Sequence, residues 1–395
     1  MQSFFFCHLS IIIYHLSIIN QKFMKKIIVI LFFLCLPLNL LSQDYKRVAD
    51  GIEYAEMLHG TEKEPIRLNL LRLDLTKVRL DVVHALDAAI GMEKTSSMAA
   101  RHGAIAAINA GFFRLDRSLF AGDAVGLLMI DKSIYSDSYA GRVALMIKNK
   151  TDKTDVSIER ANVNYSLRIN KKDYEIGLNR QRGDNDLVLF KPEFHRTTLT
   201  NENGVEFVVR KNKIVQIFNK KGSNPIPPNG YIISASGKKG EQLLQILKVG
   251  KKVDITIAHS SPVEMIPNLT FGQAEDIIAG VPQLIKNGNI EITWEQEKSS
   301  KAFVENKHPR TAVAKLKDGK FLMVTVDGRQ PEHSIGINLN ELAALLLELG
   351  ATDAMNLDGG GSTTMFLDGK IVNKPSDKEG ERSVSDAILV FPRKK

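Results

Sequence analysis

Cysteine is almost missing from this chain: two of 395 residues, Cys7 and Cys35. So few thiols exclude a disulfide-dense scaffold and a four-thiolate zinc site. Aromatic residues are also scarce, at 7% with Trp294 as the single tryptophan, which argues against a lectin that stacks sugars on an aromatic platform. No 20–50-residue repeat and no low-complexity stretch divides the chain, so neither a solenoid nor a string of linker-joined modules is expected. The formal charge of +8 is mild for this length and the lysines are spread out, short of a nucleic-acid footprint. It points to anionic ligands and no more. What is present is an ordinary globular apolar fraction of 44%, enough to bury a sizeable core.

The first 43 residues read as a leader. From Met24, a dibasic Lys25–Lys26 precedes an apolar run and a small residue, Ser42, which is the layout of a signal peptide cleaved near Ser42–Gln43. Translation from Met24 would make residues 1–23 an upstream extension. The run Ile27–Leu38 is short for a membrane span and is interrupted by Pro37. Removal of the leader also removes both cysteines, and with them any thiol nucleophile or thiolate metal ligand. The expectation is an exported chain, periplasmic or secreted, with no stable membrane span and no nucleic-acid partner.

Residues 66–86 alternate apolar and polar positions, as strands do. Residues 92–102 suit a short helix that Thr95 or Ser96 can cap. Ala104–Phe113 reads as a buried strand ending in Asn109-Ala-Gly-Phe-Phe. Short β-like runs follow at Val143–Ile147, Leu187–Phe190, Val205–Val209, Lys213–Phe218, Tyr231–Ser234 and Val253–Ala258, punctuated by turn residues. The strongest helix signal is Leu339–Leu349, with Asn338 as N-cap, Glu341 three residues on and Gly350 at the end. Strands are expected at Ala354–Leu357, Thr363–Leu367 and Val384–Phe391. Strands outnumber helices, so the expected class is α+β, a mixed β-sheet core with a few helices.

Four stretches carry chemistry. Asn356-Leu-Asp358-Gly359-Gly360-Gly361-Ser362-Thr363-Thr364 puts three glycines between two strands, where exposed amides can form an anion-binding nest beside the Asp358 carboxylate. The same shape suits a plain hairpin turn, and it lacks the Gly-Lys-Ser/Thr ending of a Walker loop. His308-Pro-Arg310-Thr311 offers a planar cationic fork and a proton carrier, or a surface loop. Asp327-Gly-Arg329 ends a strand and by itself is a turn. Arg382 is a second candidate anion clamp. Asp327, Asp358, His308 and His333 also leave open a divalent metal site, though no fixed metal spacing joins them. No organic cofactor is expected.

Taken in order, Asn109-Ala-Gly-Phe-Phe, Gly280-Val-Pro-Gln-Leu, His308-Pro-Arg-Thr, Asp327-Gly-Arg, Asn356-Leu-Asp-Gly-Gly-Gly-Ser-Thr-Thr and Arg382 resemble the phosphodiester glycosidase family over roughly residues 65–391. That family includes an enzyme removing N-acetylglucosamine from a phosphodiester, and exported bacterial members labelled as exopolysaccharide-related. One departure is Ala110, where the family usually shows a second glycine.

The resemblance implies one domain over residues 44–395 that hydrolyses the glycosidic bond of a sugar-1-phosphodiester or phosphorylated polysaccharide. On this reading Asp358 is the first choice of catalytic carboxylate, Asp327 the second, and Glu275 and Asp276 are outside candidates; His308 assists. Arg310, Arg329, Arg382 and the amides of Gly359, Gly360 and Gly361 hold phosphate. Asn109, Thr311, Asn356, Ser362 and Thr363 bind sugar hydroxyls or phosphate oxygens. Two other classes remain open: a metal-dependent phosphodiesterase using Asp327, Asp358, His308 and His333, and a non-catalytic binder of phosphorylated envelope polysaccharide.

Overall fold

In the computed structural model, residues 44–88, 90–260 and 271–393 are described. The leader reading of residues 1–43 lies outside them. Residues Tyr45–Lys395 form one compact unit. Among the described residues, no helix is long and apolar enough to cross a membrane.

The class is α+β with strands in the majority, as expected. An eight-stranded antiparallel sheet runs in the order Lys46–Ala49, Ile52–Gly60, Pro65–Leu73, Phe321–Val326, Arg310–Leu316, Ala351–Asn356, Gln283–Lys286, Asn289–Ile290. A five-stranded sheet carries Lys370–Ile371, Met365–Leu367, Ala106–Asn109, Asp386–Pro392 and Val78–His84. Another five-stranded sheet is built around Val143–Asn149 and Asp276–Ala279. A seven-stranded sheet joins the remaining middle strands.

Side-chain alternation explains how these sheets share cores. In Phe321–Val326, Phe321 and Met323 face one cluster with Val82, Leu145 and Ile388, while Leu322, Val324 and Val326 face another with Leu339, Leu342 and Leu346. Strands buried on both faces read as continuous apolar runs instead of alternating ones. Val143–Asn149 does the same: Val143, Leu145 and Ile147 pack one way, and Ala144 and Met146 the other.

The long helix is Leu339–Glu348. Its Asn338 side chain accepts the Glu341 amide at 2.9 Å, and Gly350 follows at φ +91°. The helix expected over 92–102 is Thr95–His102, but Lys94 stands at the cap position and neither Thr95 nor Ser96 caps it. Its first turn is held instead by the carboxylate of Glu381, which accepts the Ser96 amide at 2.8 Å. Two helices escaped the sequence reading, Gly237–Ile246 and Lys301–Glu305. The expected Thr363–Leu367 strand is shortened to Met365–Leu367, because the chain first makes a 3-10 turn over Gly360–Ser362.

Asn338→Ala should lower stability by about 1 kcal/mol, whereas Asn338→Asp should cost little. Denaturant unfolding midpoints of the two variants test this; equal losses would show that the cap bond is not the cause.

Candidate active site

Register brings the motifs together. Arg310 pairs with Val326, and Ala312 pairs with Asn356, so His308-Pro-Arg, Asp327-Gly-Arg and Asn356-Leu-Asp leave the eight-stranded sheet at one end. Ile108 pairs with Met365, and Asn109 with Ala387, which brings Asn109 and Asp386 to the same place from the second sheet. The chain crosses between the two sheets through Asp358–Thr364.

Asn109 holds that crossing. Its Nδ2 donates to the Asp358 carbonyl at 2.6 Å, and its Oδ1 accepts from Thr311 Oγ1 at 2.8 Å and from the Thr364 amide at 3.1 Å. Asn109 and Thr311 are both fully buried. Their polar atoms are spent on the protein, so they position the turn, and the expected contact with sugar or phosphate is corrected on that ground. Asn356 donates from Nδ2 to the carbonyls of Val281 and Leu357, at 2.7 and 2.8 Å, yet its buried Oδ1 has no partner.

The three glycines are there for different reasons. Gly360 takes φ +62°, a left-handed conformation that a side chain disfavours. A Cβ on Gly359 would stand 2.7 Å from the Pro309 carbonyl. At Gly361 a Cβ would run into the guanidinium of Arg382 and the carboxylate of Asp377. These two form an ion pair at 2.8 and 3.0 Å. Arg329 lies over Gly360, with Nη2 3.0 Å from where a Cβ would be. It is exposed, at a left-handed φ of +60°, and makes no ion pair or side-chain hydrogen bond among the described residues.

Asp358 sits at the start of this turn, mostly buried, with Oδ1 accepting the Gly359 amide at 2.9 Å. Desolvation pushes its pKa up to about 6; the Ser362 hydroxyl, the Gly359 amide and the Arg382 charge pull the other way. Ser362 lies close enough to favour the charged carboxylate but makes no hydrogen bond of ordinary geometry. Buried Asp386, which accepts the Gly111 amide and the Ser385 hydroxyl, raises Asp358 further; its own pKa is raised by burial.

His308 is half-buried, and its Nδ1 has no partner. Burial lowers its pKa, and so do the charges of Arg310 and Arg329. Arg310 is 2% exposed; burial and the Arg329 charge bring its pKa down to about 10. Its Nε donates to the Ile337 carbonyl at 3.3 Å, and Nη2 to Phe303 and Asn306 carbonyls at 2.7 and 2.9 Å. Arg310 therefore binds loop carbonyls inside the protein and adds positive field from behind; the expectation that it clamps phosphate directly is corrected. The structure brings His308, Arg329, Arg382, Ser362 and Thr363 to the glycine turn. The hydroxyls of Ser362, Thr363 and Thr364 are buried without partners.

Asp327 is elsewhere. It is 3% exposed, bonded through Oδ2 to His333 Nε2 at 2.8 Å, and through Oδ1 to Asn373 Nδ2 at 3.2 Å and the Lys374 amide at 3.0 Å. Asn373 in turn donates to the Thr363 carbonyl at 3.1 Å. So Asp327 braces the turn through Asn373, and the expected second catalytic carboxylate is corrected to a support. Among the described residues, no three histidine, aspartate or glutamate side chains cluster as metal ligands, so Asp327, Asp358, His308 and His333 are not brought into one set. Glu275 accepts the Asn149 amide at 3.0 Å. Asp276 accepts those of Val82 and Asp131, at 3.0 and 2.9 Å; both carboxylates act within strand pairing. Asp386, Asn373 and Asp377 were missed. Asp386 was visible as a lone acid inside an apolar final strand.

The α+β frame thus sets one mostly buried carboxylate beside a glycine turn flanked by Arg329 and Arg382. Residues 203–391 match the sequence model of the phosphodiester glycosidase family, and this stretch of the chain belongs to that family. The chain is 34% identical over 161 residues to mouse N-acetylglucosamine-1-phosphodiester alpha-N-acetylglucosaminidase, covering 38% of this chain and 29% of the mouse protein. It thus spans less than a third of that relative's length. An uncharacterized protein from Rickettsia conorii is 26% identical over 264 residues, covering 63% of this chain and 84% of its own. A hypothetical protein from Synechocystis shares the fold, with a TM-score of 0.75 and 22% identity, over 89% of this chain and 64% of that one.

Burial raises Asp358 from its ordinary 3.8 to about 6, so its ionisation opposes folding. The group's contribution to stability falls as pH rises from about 4 through about 6 and stays low above. Asp358→Asn should therefore melt higher than the native protein at pH 7.5, by up to about 3 kcal/mol, with the gap closing near pH 4. Melting temperatures across that range check it; a variant less stable at pH 7.5 would contradict the desolvation account.

Proposed function

We propose that the protein hydrolyses the glycosidic bond of a sugar-1-phosphodiester, releasing a sugar and a phosphate monoester. The observation that carries this reading is the pair of cations Arg329 and Arg382, with Arg310 behind and the imidazole of His308 nearby, at the Gly359–Gly361 turn beside one desolvated carboxylate. Besides burial, the Arg329 charge lowers the proton affinity of both His308 and Arg310, and the Arg310 charge lowers that of His308, so positive charge converges where an anion would be welcome. The unpartnered hydroxyls of Ser362 and Thr363 and Oδ1 of Asn356 are fully buried and cost roughly 1–3 kcal/mol each, so the turn beside Asp358 is held at an energetic cost.

The chemistry follows from charge. As the bond between the anomeric carbon and the phosphate oxygen breaks, positive charge builds on the sugar and negative charge on the leaving phosphate. Ionised Asp358 stabilises the first and takes the proton of the attacking water. Arg329, Arg382 and the turn amides stabilise the second. A phosphate leaving group is a weak base, so charge neutralisation matters more than strong acid assistance. The name of the mouse relative supports N-acetylglucosamine as the sugar. The leader-like residues 24–43 support action outside the cytoplasm, in the periplasm or beyond, on a sugar phosphate or phosphorylated polysaccharide.

Purified protein should release reducing sugar from an N-acetylglucosamine-1-phosphodiester, with kcat/KM falling below about pH 6 as Asp358 protonates. Removing one site cation should cost on the order of 100-fold in Arg329→Ala and in Arg382→Ala. No turnover across a panel of such diesters would overturn the reading. A second check is the split between the two arginines and Asp358: Asp358→Asn should lose kcat with little change in substrate binding.

A further inference from the structure

A cavity lies outside the stretch that matches the family model. It encloses about 330 Å³, within the range of small-ligand sites, and Asp123, Asp137, Tyr139, Asn179, Arg180 and Gln181 are among its lining residues. Asp123 is 6% exposed, and its carboxylate accepts no hydrogen bond from any described residue. A buried carboxylate without donors is costly, so the position calls for a ligand that supplies them. Asp137 accepts the Leu178 amide at 3.1 Å and has Arg180 Nε 3.9 Å away. Burial raises both carboxyls, Asp123 to about 7 and Asp137 to about 6.

The neighbouring charges narrow the ligand. Arg180 is committed to Asp186 at 2.6 and 3.1 Å, and Arg114 to Asp116 at 3.0 and 2.6 Å and to Gln181 Oε1 at 2.7 Å. An anion would meet two carboxyls whose nearest cations are already paired. A cation would meet the fields of Arg114 and Arg180, both of which act on Asp123. A neutral polyhydroxylated ligand suits both: its hydroxyls donate to Asp123 and Asp137 and accept from amide and guanidinium N–H groups.

The cavity is also physically joined to the candidate active site. Phe112 and Asp123 lie on paired stretches, since the Val125 amide donates to the Phe112 carbonyl at 2.7 Å and the Arg114 amide to the Asp123 carbonyl at 2.9 Å. That pairing continues directly from Asn109. Tyr139, 48% exposed, has Arg142 over its ring at 4.7 Å; Arg142 also lies 5.9 Å from the Phe112 ring. Phe112 meets Phe303 edge-on at 6.1 Å, and the Phe303 carbonyl holds Arg310.

From this geometry we infer that the Asp123–Asp137 cavity is a binding subsite for a neutral sugar residue, so that the substrate is a glycan longer than one sugar. The inference deepens the proposed hydrolysis and rests on it only for the identity of the longer substrate; sugar binding itself needs no turnover. The experiment titrates the full protein, and its Asp358→Asn variant, with N-acetylglucosamine, its β1,4-linked trimer and maltotriose, with spermidine and inorganic phosphate as charged comparisons. Saturable binding of at least one trisaccharide is expected, equal in the Asp358→Asn variant, and weakened 10-fold or more by Asp123→Asn and by the surface change Tyr139→Ala. Tyr139→Ala guards against misfolding at Asp123. Failure of all three sugars to bind, native-like binding by Tyr139→Ala and Asp123→Asn, or tighter binding of spermidine or phosphate that Asp123→Asn changes would overturn the inference. If sugars bind as expected but no diester is hydrolysed, the proposed function fails and the subsite stands.

Discussion

The side-chain amide of Asn109 ties two sheets together at the candidate active site. It is fixed by the strand Ala106–Asn109 on one side and holds the Asp358 carbonyl, the Thr364 amide and the Thr311 hydroxyl on the other. The glycine turn therefore has both ends anchored to the same buried group. A turn with so much backbone freedom would otherwise sample many shapes. Anchored this way, it keeps Asp358 beside the cations that gather over Gly360 and Gly361. A second brace runs from Asp327 through Asn373 to the Thr363 carbonyl, so the short crossing between sheets is supported from both sides.

Electrostatics at this crossing are costly to the protein by itself. Arg329 has no carboxylate partner among the described residues, and His308 leaves Nδ1 unbonded in a buried position. Asp358 is held in a site that disfavours its charged form. Such strain tends to persist where function requires it. Arg310 takes a different part. By binding the carbonyls of Phe303, Asn306 and Ile337 it shapes the loop from which His308 projects, and its charge still reaches His308.

Much of this frame could be read from residues alone. Asn338 with Glu341 announced a helix because a capping bond is local, and the middle strands announced themselves by β-branched runs between turn residues. The glycine turn, His308 and Arg382 were legible because their residue types are unusual at those spacings. Other features depend on distant chain. Nothing near Thr95 says that Glu381, from far along the sequence, will satisfy the helix start. Nor does Arg310 by itself reveal that its guanidinium turns inward to loop carbonyls while Arg329, in what reads as a plain turn, stays outside. Asp327 looked catalytic for the same reason: a strand-end acid exposes its type, but its partners Asn373 and Lys374 arrive only with the fold. The family match covers residues 203–391, and so leaves the segment carrying Asp123 and Asp137 to be understood from its own geometry.

The central claim is that the bond broken is the one between sugar and phosphate oxygen, with water arriving on the carbon side next to Asp358. Hydrolysis of a sugar-1-phosphodiester in water enriched in heavy oxygen tests it most directly, with mass spectrometry of both products. The account predicts the label in the released sugar and none in the phosphate monoester. Label in the phosphate would mean attack at phosphorus, and would contradict a role for Asp358 at the anomeric carbon.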